Sequence, residues 1–176
     1  MGALVTAGFD EVVNQTLSYE IAIKDDLELT RPIELGLSFS SNEIDSHVIA
    51  RLSRVDAIGN LHALSLGSIR PACRTIDEIR STATEIAIDI DTPQPLTRNE
   101  PVTLLFSMTP QPVLLRKGER LRLDLGSGTD LLISDQTHGR AQFEMQVPPY
   151  YSRNTIHYGP YSYLELSRVP VHAVAK

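Results

Sequence analysis

Residues 47–70 read HVIARLSRVDAIGNLHALSLGSIR, and the fold turns on this stretch. Two runs, 47–56 and 61–70, have the leucine-, isoleucine- and valine-rich composition of strands, with Ala57-Ile58-Gly59-Asn60 between them. A glycine in so short a link supplies the positive φ that tight turns require, so the pattern predicts an antiparallel β-hairpin. The same signal continues on both sides. Leu17, Tyr19, Ile21 and Ile23 alternate with polar or small residues across 16–23. Leu27 and Leu29, then Ile33, Leu35, Leu37 and Phe39, do so across 27–39, with an interruption at Pro32. A period of two turns one side of a strand toward a core and the other toward water.

Downstream, EIAIDI (85–90) alternates with Ile86, Ile88 and Ile90 on one side, and 102–108 forms a further strand. Residues 112–128 bend at Lys117-Gly118-Glu119, after which Leu121, Leu123 and Leu125 alternate with Arg120, Arg122 and Asp124. Strands at 130–134 and 141–147 follow, and 161–169 closes the chain with Leu164 and Leu166 inward. Residues 74–82 carry a weak helical pattern and read as a turn or two of helix or simply a loop, and 1–15 read as an irregular lead-in. Short strands punctuated by 11 prolines and 10 glycines indicate an all-β chain. The expectation is one domain over 1–176, two packed sheets, a jelly-roll β-sandwich.

Composition narrows the function. The net charge is −6 and the 16 basic residues are scattered among 22 acidic ones, which argues against a nucleic-acid partner. No apolar run is long enough for a membrane-spanning helix, and the first residues lack the pattern of a secretory leader. Cys73 stands alone, which excludes an intrachain disulfide and fits a cytoplasmic protein.

Catalytic chemistry is not legible. The nearest strings to a G-x-S-x-G nucleophile turn, at 36–40 and 126–128, lie in an alternating strand and a turn. His47, His62, His138, His157 and His172 have no metal-ligand spacing, and His157 has no serine or acid partner at motif spacing. Asp89 and Asp91 would share a strand face and a cation such as calcium, but a solvated face opposite the isoleucines is the preferred reading. No catalytic residue, metal or cofactor is therefore expected. What stands out is the cluster Tyr150, Tyr151, Arg153, His157, Tyr158, Tyr161 and Tyr163, a candidate docking surface. Its rival is a sugar-stacking platform, which the absence of any tryptophan weakens.

The order of several motifs resembles the carboxy-terminal domain of the X-Pro dipeptidyl-peptidase and CocE/NonD (cocaine esterase-like) group of α/β-hydrolases. Ser40-Ser41-Asn42 is followed by Asp45 to Leu52 and by Arg54-Val55-Asp56 to Gly59. Gly67 to Arg70, Gly118 to Leu123 and Asn154 to Val171 complete the series, with Glu119 where the family usually has histidine. Arg168 is a second departure, standing where a proline-valine ending is usual. The resemblance spans about Thr16 to Val171 and implies a jelly-roll, galactose-binding-like sandwich. It also implies a non-catalytic accessory domain packed on an α/β-hydrolase domain, in cis or as a separate chain, walling its cleft. Homo-oligomer contacts are possible on the same grounds. The alternatives are a free-standing carbohydrate-binding module and, last, a self-contained esterase.

Overall fold

The computed structural model describes residues 4–5, 12–13, 16–109, 112–127 and 152–170. Eleven strands are present among them: β1 (Leu4–Val5), β2 (Val12–Val13), β3 (Leu17–Ala22), β4 (Leu27–Ser41), β5 (Val48–Val55), β6 (Leu61–Ile69), β7 (Val102–Met108), β8 (Val113–Leu115), β9 (Arg120–Gly126), β10 (Asn154–His157) and β11 (Tyr163–Pro170). The strands β3-β9-β5-β6 form one antiparallel sheet. In the second sheet β4 is the hub, with β7 and β8 along one edge and β10 and β11 along the other. Leu35, Leu37 and Phe39 from β4 meet Leu52 from β5 and Leu121 from β9 in the core between the sheets. The chain is an all-β sandwich.

Local chemistry explains the boundaries. The predicted hairpin is β5–β6, and Gly59 takes φ 94° in its turn. There the Asp56 carboxylate accepts hydrogen bonds from the main-chain N–H of Ile58 and Asn60, the Asn60 side chain and the His62 ring. Gly118 takes φ 91° at the predicted bend that leads into β9.

Pro32 does not interrupt β4. The strand changes partner along one edge, from β8 at Leu27–Leu29 to β7 at Ile33–Phe39. On the other edge the ladder to β11 shifts register between Leu166 and Arg168, paired with Ile33 and Leu29 respectively. The missing N–H of Pro32 falls in a gap where neither ladder needs a donor.

Two expectations are corrected and one open reading is resolved. Residues 85–90 are not a strand: Ile88 makes one isolated bridge to Ile76, and Ile90 is 63% exposed. The N–H of Ile86 goes to the Ser107 hydroxyl (2.8 Å) instead of a ladder. Of the two readings of 74–82, the loop is the one found, held by Asp77, whose carboxylate accepts from the N–H of Ile79 and Arg80. The lead-in carries the short β1–β2 pair. The strands predicted at 130–134 and 141–147 lie outside the described residues.

The two long seams of the sandwich differ. Along β6 and β7 the sheets are tied: Thr109 N–H donates to Leu66 O (2.9 Å) and the Ser65 hydroxyl donates to Thr109 O (2.5 Å). Gly67 permits this approach, because a Cβ there would sit 2.8 Å from Met108 Cγ. Among the described residues, the opposite seam between β3 and β10–β11 has no main-chain tie; the Tyr19 and Tyr158 side chains meet at its end.

On the face of β9 turned away from the core, Asp124 is fully buried. It accepts hydrogen bonds from Ser18 (2.6 Å), Arg122 (2.8 Å) and Arg51 (3.2 Å). Burial alone would raise its pKa, but the hydroxyl and the two guanidinium groups outweigh that and hold it below the ordinary carboxylate value. A carboxyl depressed on folding contributes stability above its unfolded value, about pH 4, and loses it as pH falls through the folded value. Asp124→Asn leaves two arginines facing a neutral partner and should lower stability by about 3 kcal/mol at pH 7. Urea midpoints measured from pH 7 to pH 3 should fall more steeply with acid in the native chain than in the variant.

Candidate docking site

The turn after β10 presents the tyrosines. It closes with Ser162 N–H donating to Gly159 O (3.1 Å), and the Ser162 hydroxyl bridges β10 to β4. It donates to His157 O (2.6 Å) and accepts from Ser38 N–H (3.0 Å). Tyr158 is 87% exposed and Tyr161 63%, because the turn leaves the sheet before either ring can fold back on it.

The predicted cluster is divided by the pleat. His157 and Tyr163 pair with Ser38 and Gly36, on the outer face of the β4 sheet. The Tyr163 ring lies against Gly36, where a Cβ would overlap it, and its hydroxyl donates to Glu34 (2.9 Å). That bond, then burial and the Glu34 and Glu165 charges, raise the phenol's pKa. Tyr158 points instead to the open seam, beside Tyr19 of β3. Tyr19 was missed as a site residue because it alternates like any core strand residue. Its neighbour Ile21 is 64% exposed, an apolar side chain on the rim of the same seam. Arg153 contributes backbone only: its N–H donates to the Asn42 side chain (2.6 Å) and its carbonyl accepts from Asn42 N–H (3.2 Å). Tyr150 and Tyr151 lie outside the described residues.

Between the seam's two edges is a cavity of about 320 Å³, floored by Leu35, Leu37, Leu52 and Leu123 and walled by Ile156 and Leu164. Tyr19, Tyr158 and Ser162 stand at its polar rim.

His157 does have a serine partner, which sequence spacing could not show. Its Nε2 lies 2.9 Å from the Ser40 hydroxyl, 117 residues earlier in the chain. The pair lacks the rest of a hydrolytic site. Ser40 is 5% exposed near the end of β4, paired in the ladder with Thr155. Among the described residues no carboxylate hydrogen-bonds the His157 ring, so nothing orients it as a base. The contact fastens β10 to β4. No group of three His, Cys, Asp or Glu among the described residues could hold a metal ion. Asp89 is occupied in capping its own turn, accepting from the N–H of Asp91 and Thr92 and from the Thr92 hydroxyl.

The motif residues prove to be fasteners of the fold. The buried Asp45 carboxylate accepts from Arg70 Nε (2.5 Å), Ala72 N–H (3.1 Å) and Ser46 N–H (2.9 Å), joining the start of β5 to the end of β6. The buried Asn154 donates to the hydroxyls of Ser46 (2.7 Å) and Ser127 (2.9 Å). This geometry defines a β-sandwich domain with no hydrolytic site or metal cluster among the described residues.

The chain belongs to the X-Pro dipeptidyl-peptidase C-terminal non-catalytic domain family, whose match covers residues 14–165. A CocE/NonD family hydrolase from Staphylococcus aureus has a similar structure, with TM-score 0.76 and 22% identity over 88% of this chain and 31% of that one. An aminopeptidase from a marine sediment Thaumarchaeota archaeon aligns with TM-score 0.63 and 12% identity, over 92% of this chain and 26% of that one. An α-amino acid ester hydrolase aligns with TM-score 0.52 and 20% identity, over 89% and 23%. This chain thus spans less than a third of the length of these solved proteins. Among curated protein sequences, none matches it.

Ser40→Ala and His157→Ala each remove one half of the β4–β10 contact. Both should lower the thermal midpoint, and neither should alter hydrolysis of a p-nitrophenyl ester, which stays at the buffer rate for the native chain and both variants.

Proposed function

We propose that this chain serves as the non-catalytic accessory domain of a serine hydrolase, an esterase or X-Pro dipeptidyl peptidase. It packs through its tyrosine turn on an α/β-hydrolase domain and helps wall the cleft of that domain. The observation that carries this reading is the pair of exposed tyrosines in one turn, Tyr158 and Tyr161, with the exposed Ile21 on the seam that Tyr158 borders, in a domain whose family is non-catalytic. Exposed aromatics gathered in one place, unlike single scattered ones, mark contact surfaces. The hydrolase domain lies in cis in a longer protein, as the part-length alignments favour. The protein is cytoplasmic, in keeping with the unpaired, buried Cys73. No helix among the described residues is long and apolar enough to cross a membrane.

A carbohydrate-binding role would need rings backed by several polar side chains free to read hydroxyl groups. Here the Tyr163 hydroxyl is engaged with Glu34, and Ser162 bridges two strands. Hydrogen exchange on the longer protein and on this chain alone tests the docking reading. Amides of the turn 158–162 should exchange on the order of tenfold more slowly when the hydrolase domain is present. Equal rates in the two would remove the reading.

A further inference from the structure

We infer that the cavity in the open β3/β10–β11 seam is a binding site for a small, uncharged amphiphile, an apolar body of one or two rings or a medium-length chain carrying a single hydroxyl-type head. The mouth of the cavity shares Ile21 and Tyr158 with the docking surface of the tyrosine turn, so the site is the one open in the chain by itself.

The first argument is the difference between the seams. Where β6 meets β7, Gly67 and the Thr109–Leu66 contact bring the sheets together. Where β3 faces β10 and β11, the sheets stand apart around about 320 Å³. Interiors close to crystalline density leave few voids larger than a water molecule, so an apolar space of this size, open at its rim, is room that the described side chains do not fill. It is about twice the ~150 Å³ that accepts one benzene, and it falls at the lower end of the range typical of ligand pockets.

The second argument is the chemistry of the lining. The floor and walls are aliphatic: Leu35, Leu37, Leu52, Leu123, Ile156 and Leu164. Water gains no hydrogen bonds there, and an apolar body gains contact on several sides. Polar groups gather only at the rim. Ser162 already spends its proton on His157 O and accepts from Ser38, so a head group would meet the hydroxyls of Tyr19 and Tyr158. These two are paired with each other: burial, then the hydrogen bond to Tyr158, raise the Tyr19 pKa, and a head group would join that pair.

The third argument excludes charge. Glu20, also on the rim, faces Arg120 (2.9 Å) and Arg122 (3.7 Å), and Arg122 is bound to Asp124 as well. Among the described residues no arginine or lysine lines the cavity itself, so a carboxylate head would meet no counter-ion there.

The test is a fluorescence titration of the full 176-residue chain with N-phenyl-1-naphthylamine. Saturable binding of one probe per chain is expected, displaced by 1-decanol and not by decanoate at equal concentration. Ile156→Trp, which fills the cavity from its half-buried wall, should weaken binding at least about tenfold. A cooperative melt confirms that the variant is folded, and Leu164→Phe serves in its place if it is not. Several results would overturn the inference: no saturation, equal affinity in a folded filled variant, or equal displacement by decanoate. So would light scattering that shows a dimer unable to take the probe, since the occupant of the seam would then be a second copy.

Discussion

The second sheet depends on the ladders of a single strand. β4 runs for fifteen residues and is bonded to β7 and β8 on one edge and to β10 and β11 on the other. Its alternate side chains Ile33, Leu35, Leu37 and Phe39 are each at most 2% exposed. Fully burying a side chain of this size stabilises by about 1.5–3 kcal/mol, so one face of one strand supplies a large share of the core's drive. A strand this long stays in register only if its neighbours change where its chemistry changes, and the handover from β8 to β7 occurs at Pro32.

Anchoring β10 and β11 to β4 has a functional consequence. The five residues between them form a turn that projects past the sheet, with Tyr158 and Tyr161 in solvent. The tie between β6 and β7 closes one seam, whereas the other stands open around an apolar space. An exposed aromatic turn and an open seam thus follow from the way the strands are tethered. The same tethering explains the role of the motif residues. Asp45, Arg70 and Asn154 are spent on joining loops to strands.

Much of this was legible in the sequence, for identifiable reasons. The hairpin at 47–70 combines strand composition with a glycine that its turn requires, and both signals are local. Leu121, Leu123 and Leu125 turned inward as their alternation indicated. Residues 85–90 alternate just as cleanly and are not a strand, because alternation reports a preference and a strand also needs a partner edge. The hydroxyl of Ser107 takes the N–H of Ile86 instead. β10 was overlooked since Asn-Thr-Ile-His is too short and polar to announce itself; its register is set by Ser40, Ser41 and the Ser162 bridge. The site was legible only in part. Tyr158 and Tyr161 are exposed as a docking surface needs, but the pleat sends Tyr163 and His157 to the other face, and Tyr19 joins from a strand far away in sequence. Contacts such as Ser40–His157, across 117 residues, carry no local signature.

The central claim is that this domain acts by contact through its tyrosine turn and contributes no catalytic group. An experimental structure of a longer protein that contains this chain beside its hydrolase domain tests it most directly. The account predicts Tyr158 and Tyr161 buried against that domain, with every reacting side chain supplied from outside residues 1–176. Tyrosines left in solvent, or a side chain of this chain among the reacting groups, would contradict it.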